Sequence, residues 1–503
     1  MHEGDQNMKI LQIGDTDMAS RRFSGYDLNN ALRARGFDAQ QSVWWKNQEK
    51  SISHTLSSKL SQRESLRDYL SKINTHYSTN SLFYPFSYGL FFDKQFLDCD
   101  VAHLHLIHNY FFDISHLPII TRTKPIVWTL HDLWPLQGHC VHPLDCDRWK
   151  NGCGNCPDIT RSFEIKQDTS ALNWEYKKQV FSSCEMDLIV ASRWMYDQIK
   201  ESSFFPKCEI HLINFGLDLS IFKPLENRDF IRKKFGIPKE NVVIAFRASK
   251  WIYKGFNHIY KCLQSLSTTT PLTLIIFDEK NLFRDFSRQF QIIEVGWVEN
   301  ENELVRLLNA ADIFLMPSVA ESFGMMAMEA MACGKPVMVM NRTALPDVIK
   351  PDESGCIVID QGDNAMLASK LSELIDNHTL RNEIGQRTRK TAEKYYNYHD
   401  YVEKIVEIYE NLYQRKKKDL RAQFIIQQQK KCVFSQSDES PVFPLGNVIN
   451  ILSDVNNGMD IDGINISNKE FKILKLFLVI ERSKVVRLIY NFIKPFFQAL
   501  KKK

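Results

Sequence analysis

The strongest constraint on this chain is a rhythm that starts twice. Short apolar, β-branched runs alternate with amphipathic helical patterns. The first series of expected strands covers 9–14, 101–106, 126–130, 188–191 and 211–214, with a helix over 26–35 that stops at Gly36. A connector follows at 218–224. The second series runs through 242–246, 272–277, 292–295, 313–316, 337–339 and 357–359. Strands that alternate with helices pair in parallel and are covered on both faces, so each series implies one doubly wound α/β domain. A length of 503 residues, too much for one ordinary core, agrees with two. A long amphipathic helical region at 380–414 comes next. Beyond Arg415-Lys416-Lys417-Lys418 the sequence turns polar at 435–468, then apolar and basic at 471–503.

Composition closes off other classes. With 44% hydrophobic and 25% charged residues, the chain is neither disordered nor collagen-like. A formal charge of +4 is too small for a protein that coats nucleic acid, so no nucleic-acid partner is expected. The balance hides an asymmetry: residues 470–503 hold nine Lys/Arg and two Glu, a net +7, which leaves −3 for the remainder. No run of eighteen apolar residues suggests a spanning helix. Residues 1–7 are polar and acidic, unlike a secretory signal, and the eleven cysteines are mostly scattered. The expectation is a cytoplasmic protein.

Four segments carry candidate chemistry. In 317–330, Glu321 and Glu329 flank Ser322-Phe323-Gly324 and follow an expected strand. Roughly two Glu pairs at this spacing arise by chance in such a length, so context matters more than spacing. Gly324 stands where a turn passes into an apolar helix, a place where backbone amides can hold an anion. The bland reading is a surface acid followed by a core-facing methionine helix. In 246–255, Arg247, Lys250 and Lys254 follow the first strand of the second series, at the strand end where open α/β sheets bind ligands. Such cations suit phosphate oxygens, and a solvated basic loop is the alternative. In 125–132 a strand ends in His131-Asp132, the imidazole either contacting a substrate hydroxyl or capping a loop. His103, His105 and His108 read as mostly structural. Finally, Cys140, Cys146, Cys153 and Cys156 crowd into seventeen residues. They suit a closed, structural zinc site, with free thiols, a disulfide or an iron–sulfur cluster as alternatives.

Over 8–414 these residues resemble the GT-B retaining glycosyltransferases of family 4. The likeness rests on 321–329, on Ala332-Cys333-Gly334-Lys335-Pro336-Val337 and on Asn214-Phe215-Gly216-Leu217-Asp218. The exopolysaccharide (colanic-acid-type) branch is similar in Thr129-Leu130-His131-Asp132-Leu133-Trp134-Pro135 and in the cysteine pattern of 138–157. The resemblance implies a GT-B fold with two Rossmann-like lobes facing across a cleft. Its divisions would be an acceptor-side lobe at 8–222, a nucleotide-sugar lobe at 223–392, a returning helix at 393–414 and a basic amphipathic tail at 415–503. It implies a UDP- or GDP-sugar donor and no catalytic metal. Glu329 would hold the ribose, and Glu321 with Ser322, Phe323 and Gly324 the donor sugar. Lys254, with Arg247 or Lys250, would hold the diphosphate, and His131 would reach the sugar near the reacting carbon. Two departures stand out. The loop 15–25 keeps only Gly25 where relatives carry a glycine pair, and the spacing from Arg247 to Lys254 is longer than the usual one.

Outside the resemblance, apolar residues between Phe471 and Leu500 recur near helical spacing among basic ones. Such a segment suits an anionic membrane surface, and with it a lipid-linked saccharide acceptor and a peripheral place on the inner face of the cytoplasmic membrane. A helix packed on the enzyme or a partner is the other reading. Competing functions are a GT-B epimerase or phosphorylase, and a catalytically silent GT-B subunit that binds sugar or acts as a scaffold.

Overall fold

The computed structural model describes residues 8–417 apart from 18–21, 48–50, 56–69, 73, 80–81, 83 and 92. The tail at 471–503 lies outside the described residues. Among the described residues thirteen strands form two sheets. The first sheet is built from β1 (Lys9–Thr16), β2 (Asp38–Trp45), β3 (His54–Thr55), β4 (Val101–His105), β5 (Ile126–Leu130), β6 (Asp187–Val190) and β7 (Glu209–Leu212). Their order is β3-β2-β1-β4-β5-β6-β7, and the registers β1–β2, β1–β4 and β4–β5 are parallel. The sequence Ile-Val-Trp-Thr-Leu of β5 is buried at every position, as a central parallel strand covered on both faces must be.

The second sheet contains β8 (Val242–Ala248), β9 (Leu272–Asp278), β10 (Gln291–Gly296), β11 (Ile313–Met316), β12 (Val337–Met340) and β13 (Ile357–Ile359). Its order is β10-β9-β8-β11-β12-β13, with all five pairings parallel. The described chain divides into two compact units. One comprises residues up to Ile189, Ile199–His211 and those from Val406 onward; the other comprises Val190–Gln198 and Leu212–Ile405.

Three local expectations change. Strands β2 and β3 were not anticipated, because Gln40-Gln41-Ser42 masks the apolar pattern of β2. Gln41 is nevertheless fully buried: its amide donates to the Ser24 carbonyl at 2.9 Å and its Oε1 accepts from Ser53 Oγ at 2.6 Å. Strand β7 begins and ends two residues earlier than 211–214. The helical region at 380–414 is two helices, His378–Tyr395 and Tyr398–Lys417. The break is enforced by Leu217, whose N–H donates to the Tyr396 carbonyl at 2.8 Å and whose carbonyl accepts from the Tyr398 N–H at 3.1 Å. Gly216 permits this approach, since a Cβ there would lie 2.6 Å from Tyr398 Cα.

Candidate functional site

Strand order decides where the second unit can bind a ligand. From β8 the chain winds one way through β9 and β10, and the other way through β11, β12 and β13. Loops leaving the carboxyl ends of β8 and β11 meet at this switch point, where open α/β sheets place their crevice. Here the two loops are tied by backbone: the N–H groups of Val319 and Ala320 donate to the Tyr253 carbonyl at 3.0 and 3.4 Å. Gly255 lets them touch. Its φ is +73°, and a Cβ at this position would stand 2.0 Å from the Pro317 carbonyl oxygen. As a result Lys254 Nζ donates to Glu321 Oε1 at 2.6 Å, with only 14% and 13% of the two side chains exposed.

Gly324, at φ +108°, starts the helix Met325–Ala332. A Cβ there would strike Leu345 Cδ2 at 2.4 Å. The first amides of any helix lack partners within it, so this turn, three residues after Glu321, presents N–H donors. Glu321 has 13% of its side chain exposed and Glu329 is 2% exposed, so neither is the surface acid of the bland reading. The Ser322 carbonyl accepts from Ser192 Oγ at 2.7 Å. Phe323 is buried edge-on against Phe215 and Tyr396, with ring centroids 5.2 and 6.0 Å away, so it anchors the loop.

The three cations go to different places. Lys254 joins Glu321. Arg247 Nε donates to Asp278 Oδ2 at 2.7 Å, and its guanidinium stands 5.5 Å from the Trp297 ring centroid. Lys250 is exposed, and its backbone N–H donates to Glu279 Oε1 at 3.0 Å. Asp278 was invisible to motif reading. Its signal is positional: it ends β9, next to β8, with φ +77°.

In the first unit the switch lies between β1 and β4. His105 ends β4 and His131 follows β5, with ring centroids 5.8 Å apart. Phe23 meets His131 edge-on at 5.3 Å, and both imidazole nitrogens of His131 are covered. Behind them runs a buried hydrogen-bonded chain. Gln12 Oε1 accepts from His105 Nε2 at 2.8 Å, and Gln12 Nε2 donates to the Tyr409 hydroxyl at 3.1 Å. The hydroxyl in turn donates to His103 Nδ1 at 2.6 Å, which leaves His103 Nε2–H to donate to Thr129 Oγ1 at 2.7 Å. This assignment makes both imidazoles neutral. Burial pushes His103 down to about 3, His105 well below the ordinary range, and His131 to about 4. The lone Gly25 of the first loop is explained here, because a Cβ would sit 2.6 Å from His105 Nε2. The capping role falls to Asp132, which accepts from the Trp134 N–H at 2.9 Å and pairs with His108 Nε2 at 3.1 Å. Gln12 and Tyr409 were not found from sequence; they lie 397 positions apart.

Cys140, Cys146, Cys153 and Cys156 are free thiols, all partly buried. Burial pushes Cys140 up to about 12 and Cys153 up to about 11. No helix among the described residues is long and apolar enough to cross a membrane.

Residues 227–391 match the model of the family described as Glycosyl transferases group 1. Over 330 residues the chain is 24% identical to the putative colanic acid biosynthesis glycosyl transferase WcaC of Escherichia coli (strain K12), covering 62% of this chain and 76% of that protein. Among solved structures, sucrose-phosphate synthase from Thermosynechococcus elongatus superposes with a TM-score of 0.59 at 15% identity, over 81% of this chain and 100% of the other. Anabaena HepE in complex with UDP and glucose superposes with a TM-score of 0.53 at 15% identity, over 80% and 99%.

Proposed function

We propose that this chain, which has the GT-B fold and matches the group 1 family model over 227–391, transfers a sugar from a UDP- or GDP-sugar to a saccharide acceptor in surface polysaccharide synthesis, with retention of anomeric configuration. One observation carries the reading: the β8 and β11 loops hold Lys254 against Glu321 at the switch point, beside a helix that begins at Gly324. That arrangement offers a cation and backbone amides to a diphosphate and a carboxylate to sugar hydroxyls. In this proposal Lys254 holds the diphosphate, helped by Arg247 once Arg247 exchanges Asp278 for phosphate oxygens. Glu321 and the Gly324 turn hold the sugar, Glu329 holds the ribose, and Lys250 is the outermost of the three cations. Neutral His131 contacts a sugar hydroxyl near the reacting carbon.

The chemistry then balances without a protein base. The bond from the anomeric carbon to the diphosphate breaks, and its electron pair goes to the departing phosphate oxygen. Fixed cations stabilise the charge that develops there. The acceptor hydroxyl adds on the same face and gives its proton to that oxygen. A lipid-linked acceptor is the further part of the proposal. It rests on the +7 balance of 470–503 and on the colanic acid relative.

Thermal-shift screening of UDP- and GDP-sugars identifies the donor, because a ligand that binds only the folded state raises Tm. With that donor, Glu329→Ala and His131→Ala are each expected to reduce transfer by about 100-fold or more. Unchanged transfer in both would overturn the site assignment. Donor binding without turnover in the unaltered chain would favour the silent sugar-binding subunit.

A further inference from the structure

The first unit carries a constellation that the transfer reaction does not use. Cys140, Cys146, Cys153 and Cys156 lie within seventeen residues, unpaired as disulfides. Between the last two ligand candidates the backbone is unusual. Residues 152–155 run at φ +119°, +56°, +83° and +46°, although Cys153 and Asn155 are not glycine. The turn is fastened by neighbours. The Gly154 N–H donates to Ser170 Oγ at 3.0 Å, the Cys156 N–H to Asp168 Oδ2 at 2.7 Å, and the Cys153 N–H to the Arg148 carbonyl at 2.9 Å.

Two groups behind the sulfurs add to this. His139 is fully buried, with Nδ1 donating to the Phe163 carbonyl at 3.2 Å, so Nε2 faces Cys156 Sγ at 3.2 Å and Cys140 Sγ at 3.8 Å. Lys177 is also fully buried. Its Nζ donates to the carbonyls of Trp134 and Gln137, both at 2.8 Å, and stands 3.7 Å from the Trp134 ring centroid. Among the described residues no carboxylate lies within ion-pair distance of Lys177; burial pushes its amine well below the ordinary lysine range, while Cys153, Cys140 and Asp132 act in the opposite direction. A buried ammonium is costly unless opposite charge stands near it. Four thiolates around a divalent ion carry two net negative charges, which would add to Asp132 in favouring the charged form of Lys177.

We propose that this loop is a structural zinc site, with Cys140, Cys146, Cys153 and Cys156 as its four ligands and Lys177 as the buried countercharge. Each thiol gives its proton to solvent as its sulfur takes the metal. In a tetrahedral site with Zn–S near 2.3 Å the sulfurs lie about 3.8 Å apart; here no three of the four converge within 4.8 Å, so the loop would have to draw in on binding. No position stays open for substrate, and the role is to brace a long loop next to β5. His139 remains outside the ligand set, as a partner to the sulfurs of Cys156 and Cys140. A different trio, Asp187, Glu209 and His211, already has ligand atoms within 4.8 Å of one another. It is not a second site, because Arg415 donates to both Asp187 oxygens at 2.6 Å and to Glu209 at 2.8 Å.

The test is the metal content of the full chain, purified without oxidation and without chelator. About one zinc per chain is expected. Cys146→Ser and Cys153→Ser should each lose it, and His139→Gln should keep it. Should the cysteine variants fail to fold, cobalt substitution of the unaltered chain decides instead: an intense sulfur-to-cobalt charge-transfer band with tetrahedral visible absorption is expected. Absence of both zinc and that band, or disulfides among these thiols by mass spectrometry, would overturn the proposal. Loss of metal in His139→Gln with retention in a cysteine variant would overturn the all-thiolate ligand set. None of these readouts involves transfer, so the site stands or falls independently of the proposed activity.

Discussion

Replacing Gly255 by alanine tests how the switch-point loops are held together. The new methyl would stand 2.0 Å from the Pro317 carbonyl oxygen, on a residue at φ +73°. The left-handed backbone costs a non-glycine residue about 1–2 kcal/mol. Overpacking against backbone, which cannot swing aside like a side chain, adds about 1–3 kcal/mol. The combined loss of about 2–5 kcal/mol is a large part of the roughly 5–15 kcal/mol that keeps a domain folded. For a domain of this size it lowers Tm by roughly 2–4 °C for each kcal/mol. Gly362→Ala is the control, because Gly362 has φ +94° but nothing within 4 Å of an added methyl, so only the backbone cost applies. Differential scanning calorimetry of both variants separates the two contributions. The Gly255 variant should also bind donor more weakly, since relief of the clash moves Lys254 away from Glu321. Equal melting temperatures for the two variants, with donor binding intact, would refute the claim that this contact positions the pair.

Two further outcomes follow from charge. His103 and His131 have folded values of about 3 and 4, below the ordinary 6.5, so each favours its neutral form in the fold. Their stabilisation is complete above about pH 6.5 and is lost as pH falls toward those values; at pH 5 each loss is roughly 2 kcal/mol. Asp113, raised to about 6 by burial, acts in the opposite direction and returns roughly 1 kcal/mol at pH 5. Urea midpoints should therefore fall between pH 7 and pH 5, and a flat profile would contradict the neutral imidazole cluster. For the basic segment at 470–503, a chain ending at Gln414 should stay soluble and stop pelleting with anionic vesicles, whereas the full chain should pellet and release with salt. Equal pelleting of both would remove the membrane proposal.

Where local pattern and tertiary demand agree, the residues were readable in advance. Strands such as Ile126–Leu130 and Ile313–Met316 are short apolar runs bounded by polar loops, and no other element suits such a run between helices. The unread strand Asp38–Trp45 is the informative contrast. Its buried Gln41 and Ser42 look like loop residues until Ser24 and Ser53 supply hydrogen bonds from elsewhere in the chain. The same reason hides the break between the helices His378–Tyr395 and Tyr398–Lys417: the segment that forces it, around Leu217, is distant in sequence.

The order of amino acids alone specifies two parallel α/β sheets, because periodicity is a local property and each strand series carries its own helices. It also placed the candidate residues at the carboxyl ends of strands, where backbone donors and loops are available. Which of them meet depends on how the chain folds. Lys254, not Arg247 or Lys250, reaches Glu321, because β8 and β11 are neighbours across the switch point and Gly255 admits Pro317. His103 and His105 are fixed as neutral by Gln12 and Tyr409, which come from opposite ends of the described chain. Hydrogen bonds and ion pairs are short-ranged in space and indifferent to sequence separation, so a motif can nominate a side chain but only the fold chooses its partner.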